Sequence, residues 1–296
     1  MTVQQMTAID VDATFDQFKI ARLRHHLVGH PLMTPESLAE LALRIDPEYV
    51  RFHEGERGIA TRMSQMLSTD PTREALRRTI DNLGKRSAFV QIINIYSDPA
   101  YRALLDEVFE QVTPFLPARD RNLINRDAAA FLASPQSVTP FHLDHEQNFL
   151  CHMGGQKTFY VWDHRDRSVV SEQELEIFYG AGKLREQIYR PEMQQRAHAF
   201  ELQPGDCIFM PMGSPHAAST GSDVTVTFSI LFNTESAFDM VETYRANHAI
   251  RRLGLSPTPV GASALGDSLK RRTLGAVRRV RNLARGRRTE RRLNWY

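Results

Sequence analysis

The chain is short of most features that would place it in a specialised class. Its 296 residues include only two cysteines, Cys151 and Cys207, too few for a disulfide-stapled scaffold or for a cysteine-rich structural zinc site. Each sits in a strand-like run, where the pair reads as two small core residues rather than a bridge. No apolar run approaches the length that spans a bilayer; Phe228–Phe232 is typical of the longest. The first residues, MTVQQMTAIDVDATFDQF, carry early acids and no apolar core segment. A secretory signal is therefore not expected, and the cytoplasm is the expected compartment. There is no internal repeat, and the one biased stretch is an arginine-rich end.

What remains is ordinary in bulk and uneven in distribution. Hydrophobic residues make up 42% and charged residues 24%, the balance of a globular protein with one sizeable core or two smaller ones. From Lys270 to Tyr296 there are eleven Lys/Arg and one acid, Glu290. That is a local balance of +10, which leaves −8 for the remainder of a chain whose net charge is +2. A mildly acidic body with a basic tail is unlike a uniformly basic nucleic-acid binder.

Residues 1–84 are expected to form a mostly helical region. Thr34-Pro35-Glu36 supplies an N-cap, a first-turn proline and a first-turn acid ahead of SLAELALRI, and a second helical run extends from Pro71 to Gly84. From 85 to 234 β-formers dominate: AFVQIINIY, AAAFLA, SVTPFHLD, NFLCHM, KTFYVWD, DCIFMP and DVTVTFSILF, interrupted by the helical PAYRALLDEVFEQV. Residues 235–296 return to helix, first in ESAFDMVETYRANHAIRRLG and then in the basic tail, across a Pro/Gly/Ser-rich link. The fold class is mainly β with helical flanks.

Two short patterns carry chemistry. In His142-Leu143-Asp144 the outer residues of a strand share one face and can aim together at a metal, although composition alone produces such a pairing by chance. GDCIFMPMGSPHAAST is more specific. Gly205, Pro211, Gly213 and His216 keep the spacing of the second cupin motif, with Thr220 where that motif usually carries Asn. Together, His142, Asp144 and His216 compose two imidazoles and one carboxylate, the facial set that suits non-haem iron(II) and oxygen chemistry.

The stretch TPFHLDHEQNFLCHMGGQKTFYVW, residues 139–162, joined to the 204–216 motif, resembles the JmjC/cupin-type iron(II)- and 2-oxoglutarate-dependent oxygenases. Within them it is most similar to the asparaginyl hydroxylases that act on hypoxia-inducible factor. The resemblance spans roughly residues 87–233. It implies a double-stranded β-helix (jelly-roll) core, Fe(II) and 2-oxoglutarate as cofactors, and hydroxylation of a peptide side chain or small molecule with release of succinate and carbon dioxide. N-demethylation is the other outcome open to the same chemistry. By position, the resemblance makes His142, Asp144 and His216 the catalytic iron ligands. It makes Lys157 the partner of the distal carboxylate of 2-oxoglutarate, and Thr139 and Asn148 the polar lining. Ser229 falls near a position where those hydroxylases have Asn. Phe89 stands in place of a tyrosine hydroxyl, which leaves the distal carboxylate either one hydrogen bond fewer or Gln91 as a substitute donor. Lys157 also suits a dicarboxylate on chemical grounds alone, since a barrel-facing ammonium needs an anion; the plain reading is a strand-end lysine reaching back to water. His145 and His152 read as ordinary supporting or surface histidines.

Other readings stay open. A cupin-like binding or scaffold protein without turnover, and a cupin working with zinc or manganese, both keep these motifs. The segment from Arg165 to Ala199 is expected to cover the mouth of the barrel. The helix from Glu235 to Leu253 resembles in position those through which related hydroxylases dimerise, so a homodimer is expected. For the basic tail, Leu269, Thr273, Ala276, Val277, Val280, Leu283 and Ala284 share one helical face, with arginines around the rest and Trp295-Tyr296 beyond. It fits an anionic membrane surface, nucleic-acid phosphates, or a solvated or dimer-packing helix whose charges mostly meet water or the protein's own acids.

Overall fold

The computed structural model of the chain describes residues 8–62, 72–181 and 188–284, with side chains of the last helix to Arg279. In chain order the elements are β1 (Ala21–Arg24), α1 (Pro35–Arg44), β2 (Val50–Glu54), α2 (Arg73–Asp81), β3 (Ala88–Ile92) and α3 (Pro99–Val112). Then come β4 (Asn125–Ala133), β5 (Val138–His142), β6 (Gln147–Gly154), β7 (Lys157–Val161), α4 (Glu172–Gly180) and β8 (His198–Leu202). The series closes with β9 (Asp206–Met210), β10 (His216–Thr220), β11 (Thr225–Asn233), α5 (Glu235–Arg252) and α6 (Ala264–Ala284).

Strands β4 to β11 shuttle between two antiparallel sheets. The larger has the order β1-β9-β6-β11-β4-β3-β2 and the smaller β5-β10-β7-β8. This is the expected double-stranded β-helix, a two-sheet jelly roll. The central strands of the large sheet, QNFLCHM, DCIFM and TVTFSILFN, are buried along their whole length, because both faces are covered. Leu150, Phe159, Val161, Ile208, Met210 and Ala218 fill the space between the sheets. On the outer face, Leu38 and Leu41 of α1, Leu76 of α2 and Leu105 and Phe109 of α3 pack on Phe149, Phe228 and Phe232. Cys151 and Cys207 lie in register on β6 and β9 as buried free thiols with sulfurs 3.7 Å apart.

Local signals explain the helices. Thr34 Oγ1 accepts the Ser37 amide at 3.1 Å and Pro35 opens α1. Thr72 caps α2 in the same way, accepting the Ala75 amide at 3.2 Å, so the helix begins after Pro71, itself outside the described residues. Asp98 caps α3, whose bounds match the PAYRALLDEVFEQV run.

The structure adds detail to three of these regions. Among the described residues of 1–84, helices α1 and α2 are accompanied by two strands, for β1 and β2 form the two edges of the large sheet. The segment after Arg165 folds into α4, a 3-10 turn over Pro191–Arg196 and the start of β8. Its Val169, Val170, Leu175, Phe178, Tyr179 and Met193 build a second core with Val241 and Tyr244 of α5. Finally, α5 lies between α4 and α6 of its own chain, joined by Arg251–Glu176 on one side and by Arg278–Glu242, 2.6 Å, on the other. Among the described residues, no helix is long and apolar enough to cross a membrane.

Candidate metal centre

β5 and β10 are hydrogen-bonded neighbours, and His142 stands directly opposite His216 in their register. That places the two imidazoles with ring centroids 4.0 Å apart at the end of the small sheet. The chain leaves β5 after His142, and two residues later Asp144 turns its carboxylate to both rings. Oδ1 lies 3.9 Å from His142 Nε2 and Oδ2 3.5 Å from His216 Nε2. One ligand atom from each of the three falls within 4.8 Å of the others.

Each ring is oriented by its far nitrogen. His142 Nδ1 meets the Pro140 carbonyl at 2.8 Å and His216 Nδ1 meets the Ser214 carbonyl at 3.1 Å. A carbonyl only accepts, so each Nδ1 carries the proton and each Nε2 keeps its lone pair toward Asp144, the outer-shell arrangement of metal-ligating histidines. Burial, reinforced by His142, pushes His216 down to about 4, so its imidazole is neutral and ready to coordinate at neutral pH. The approach of β10 depends on Gly213, which has φ +75° and sits where a Cβ would come 2.6 Å from Tyr179 Oη. Its amide donates to the Asp144 carbonyl at 3.1 Å. The donor set therefore fits a divalent metal held on one face, with the opposite face open to the cavity.

That cavity, about 110 Å³, runs inward from the three ligands between the two sheets. Thr139, Asn148, Lys157, Ser229 and Gln91, all picked out in the sequence, line it with the ligands. Lys157, 7% exposed, donates from Nζ to Thr227 Oγ1 at 2.9 Å and has no acidic partner among the described residues. Burial alone pushes it down to about 8. Asn148 Oδ1 and Ser229 Oγ are buried without hydrogen-bond partners. A buried ammonium without a counter-ion, facing unsatisfied polar atoms, is unfavourable unless a ligand completes it. The dicarboxylate 2-oxoglutarate fits that requirement.

Phe89 is not among the lining residues. It stacks on His53 (centroids 5.6 Å) and packs on Phe131, while Gln91, two residues on, reaches the cavity. The Arg165–Ala199 segment contributes no lining residue among those described, and 182–187 lie outside them. It acts one layer back, where Phe178 stacks on His145 with ring centroids 3.9 Å apart. His145 is thus buried rather than on the surface, and burial pushes it down to about 3. His152 is likewise buried, its Nε2 against the Gly155 carbonyl at 2.9 Å.

The main residue missed in the sequence is Glu146. Its carboxyl is buried in the same cavity, with Oε1 unpartnered. Burial first, then the charges of Asp144 and Asp127, raise it to about 8, so it holds a proton at neutral pH in the metal-free protein. A strand period could not have found it, because residues 143–146 lie between β5 and β6. Phe131, Leu150 and Phe159 supply apolar walls, and Arg51 arrives from β2, a strand not expected in that region.

Comparison with known proteins agrees with this fold. Two solved structures of YcfD from Escherichia coli share the fold. The first has 17% identity and a TM-score of 0.52, covering 89% of this chain and 65% of the other. The second, described as a ribosomal oxygenase in complex with cobalt and 2-oxoglutarate, has 17% identity and a TM-score of 0.50, covering 88% and 64%. The chain thus spans slightly less than two thirds of the structures it matches. No curated protein matches it in sequence, and the narrower likeness to asparaginyl hydroxylases gains no support from these comparisons. The profile of the cupin-like domain matches residues 34–238, which take in every described strand except β1, the three candidate ligands and the start of α5; the chain belongs to the cupin-like domain family.

Proposed function

We propose that the protein is an iron(II)- and 2-oxoglutarate-dependent oxygenase that hydroxylates a peptide side chain or a small molecule. The observation that carries this reading is the buried Lys157 ammonium, without an acidic partner among the described residues, in the same cavity as the His142–Asp144–His216 set. A scaffold would have no use for both. The cobalt and 2-oxoglutarate held by a protein of the same fold support the choice of cosubstrate.

Once bound, the metal and keto acid would supply oxygen activation coupled to decarboxylation. The chain's own part is positional. His142, Asp144 and His216 hold the metal on one face and leave the other open. Lys157, with Thr227 behind it, holds the distal carboxylate, while Thr139, Asn148, Ser229 and Gln91 offer hydrogen bonds along its length. Phe131, Leu150, Phe159 and Ala218 keep water from the cavity. Incubation with Fe(II), 2-oxoglutarate and oxygen is expected to release carbon dioxide and succinate slowly even without the primary substrate. The release is expected to vanish in His142→Ala. Protein that binds iron and 2-oxoglutarate yet releases neither product would be a binding module, and the oxygenase reading would fall.

A further inference from the structure

Helix α6 is amphipathic and packs with its charged side inward. Asp267, Lys270, Arg271, Leu274 and Arg278, three or four residues apart, face the protein. Asp267 accepts the Gly261 amide at 2.8 Å, and Lys270 donates to the Thr258 carbonyl at 2.7 Å. Arg271 pairs with Asp239 at 3.3 Å and Arg278 with Glu242 at 2.6 Å, both on α5. These contacts fix the rotation of the helix and leave its apolar side uncovered. Leu265 is 84% exposed, Leu269 65% and Val277 60%, with the small Ala276 exposed between them. Leu253 and Leu255, at and just beyond the end of α5, are exposed as well. Five of the eight exposed large hydrophobic side chains among the described residues therefore lie in this one C-terminal region. An amphipathic helix in a globular protein normally turns its apolar stripe to the core, and a concentration of outward apolar surface marks an interaction site.

The charges beside that surface indicate what it meets. Arg272 and Arg279 are exposed along its edge and have no ion-pair partner among the described residues. In the sequence, six further arginines follow Arg279 before Trp295 and Tyr296. A nucleic acid would satisfy the arginines and leave Leu265 and Leu269 in water. A second copy would bury the leucines but set two strongly basic segments against each other, which like-charge repulsion opposes. We propose that α6 docks the protein on an anionic lipid bilayer. Leu265, Leu269 and Val277 enter the boundary between headgroups and acyl chains, and Arg272 and Arg279 meet lipid phosphates. The reaction at the metal centre would then be carried out at a membrane surface.

Vesicle flotation of the full chain tests this. The protein is expected to float with vesicles of phosphatidylcholine mixed with phosphatidylglycerol, and not with phosphatidylcholine alone. Leu265→Glu/Leu269→Glu is expected to lower the bound fraction with an unchanged melting curve, because neither side chain is packed. With about 1 kcal/mol per basic residue near an anionic surface, Arg272→Ala/Arg279→Ala is expected to weaken partitioning roughly tenfold or more. Failure to float with the anionic vesicles, or flotation unaffected by the leucine changes, would overturn the proposal. So would binding to duplex DNA or RNA that the leucine variant retains in place of vesicle binding. A concentration-dependent dimer abolished by Leu269→Glu, without vesicle binding, would assign the face to a second copy instead.

Discussion

At the scale of single residues, the cavity is defined by two side chains whose burial works against their charge. Lys157 loses water on all sides and gains one hydroxyl, from Thr227. An unfolded lysine keeps its proton to about pH 10.4, while the buried one gives it up at about 8. Between those values the unfolded chain binds more protons, so the stability of the ligand-free protein is expected to rise with pH across that window. The amplitude is on the order of 3 kcal/mol. Lys157→Met is expected to abolish this rise, to be more stable than the wild type at pH 7 in denaturant titrations, and to bind 2-oxoglutarate at least tenfold more weakly. A variant less stable than the wild type, with the pH dependence intact, would mean that Lys157 is already neutralised in the free protein. Affinity of the wild type for 2-oxoglutarate is expected to hold below pH 8 and weaken above it, as Nζ loses its proton. Glu146 is the counterpart, a carboxyl that burial and Asp144 keep protonated. Lys157 was legible in the sequence through the family resemblance of residues 139–162. Glu146 was not singled out, because a carboxylate near two ligands reads as solvated until the strand ends around it are known to be covered.

At the scale of elements, the metal centre is a property of the β5–β10 pair. Register sets His142 opposite His216, and the turn before β10 decides whether His216 arrives there. Gly213 is held at φ +75° beneath Tyr179 Oη, so Gly213→Ala meets both a left-handed backbone and a clash. It is expected to cost about 1–3 kcal/mol. It should also weaken metal binding, measured by competition with a chromogenic chelator, without changing any ligand. Metal affinity equal to wild type would show that the turn is not what positions His216. The strands around the site were readable because they are long, rich in β-formers and bounded by Gly and Pro. The elements that escaped are edge pieces with weak patterns. β1 is the four residues Ala21–Arg24, half arginine, and β8 is largely exposed. α4 did announce itself, since Ser171 and Glu174 form a capping box, but it lay inside a charged segment whose core partners come from α5, sixty residues away in the chain.

At the scale of the whole molecule, two cores share one jelly roll. Helices α1, α2 and α3 seal the outer face of the large sheet, and α4 with α5 seals the ligand end of the small one. The sheets are left to enclose a cavity with the metal ligands at one end and Lys157 in its wall. The double-stranded β-helix and the three candidate ligands were legible from two motifs and the family resemblance they carry. The closure of the large sheet by β1 and β2 was not, because it depends on pairing across long sequence separations. The central claim is that the three ligands and Lys157 serve one site that takes Fe(II) and 2-oxoglutarate together. It is tested most directly by anaerobic titration of metal-free protein with Fe(II) and then 2-oxoglutarate, following visible absorption. A metal-to-ligand charge-transfer band is expected that saturates with the keto acid, is absent in His216→Ala, and needs much more 2-oxoglutarate in Lys157→Ala. Iron bound with no band at any concentration of 2-oxoglutarate would contradict it.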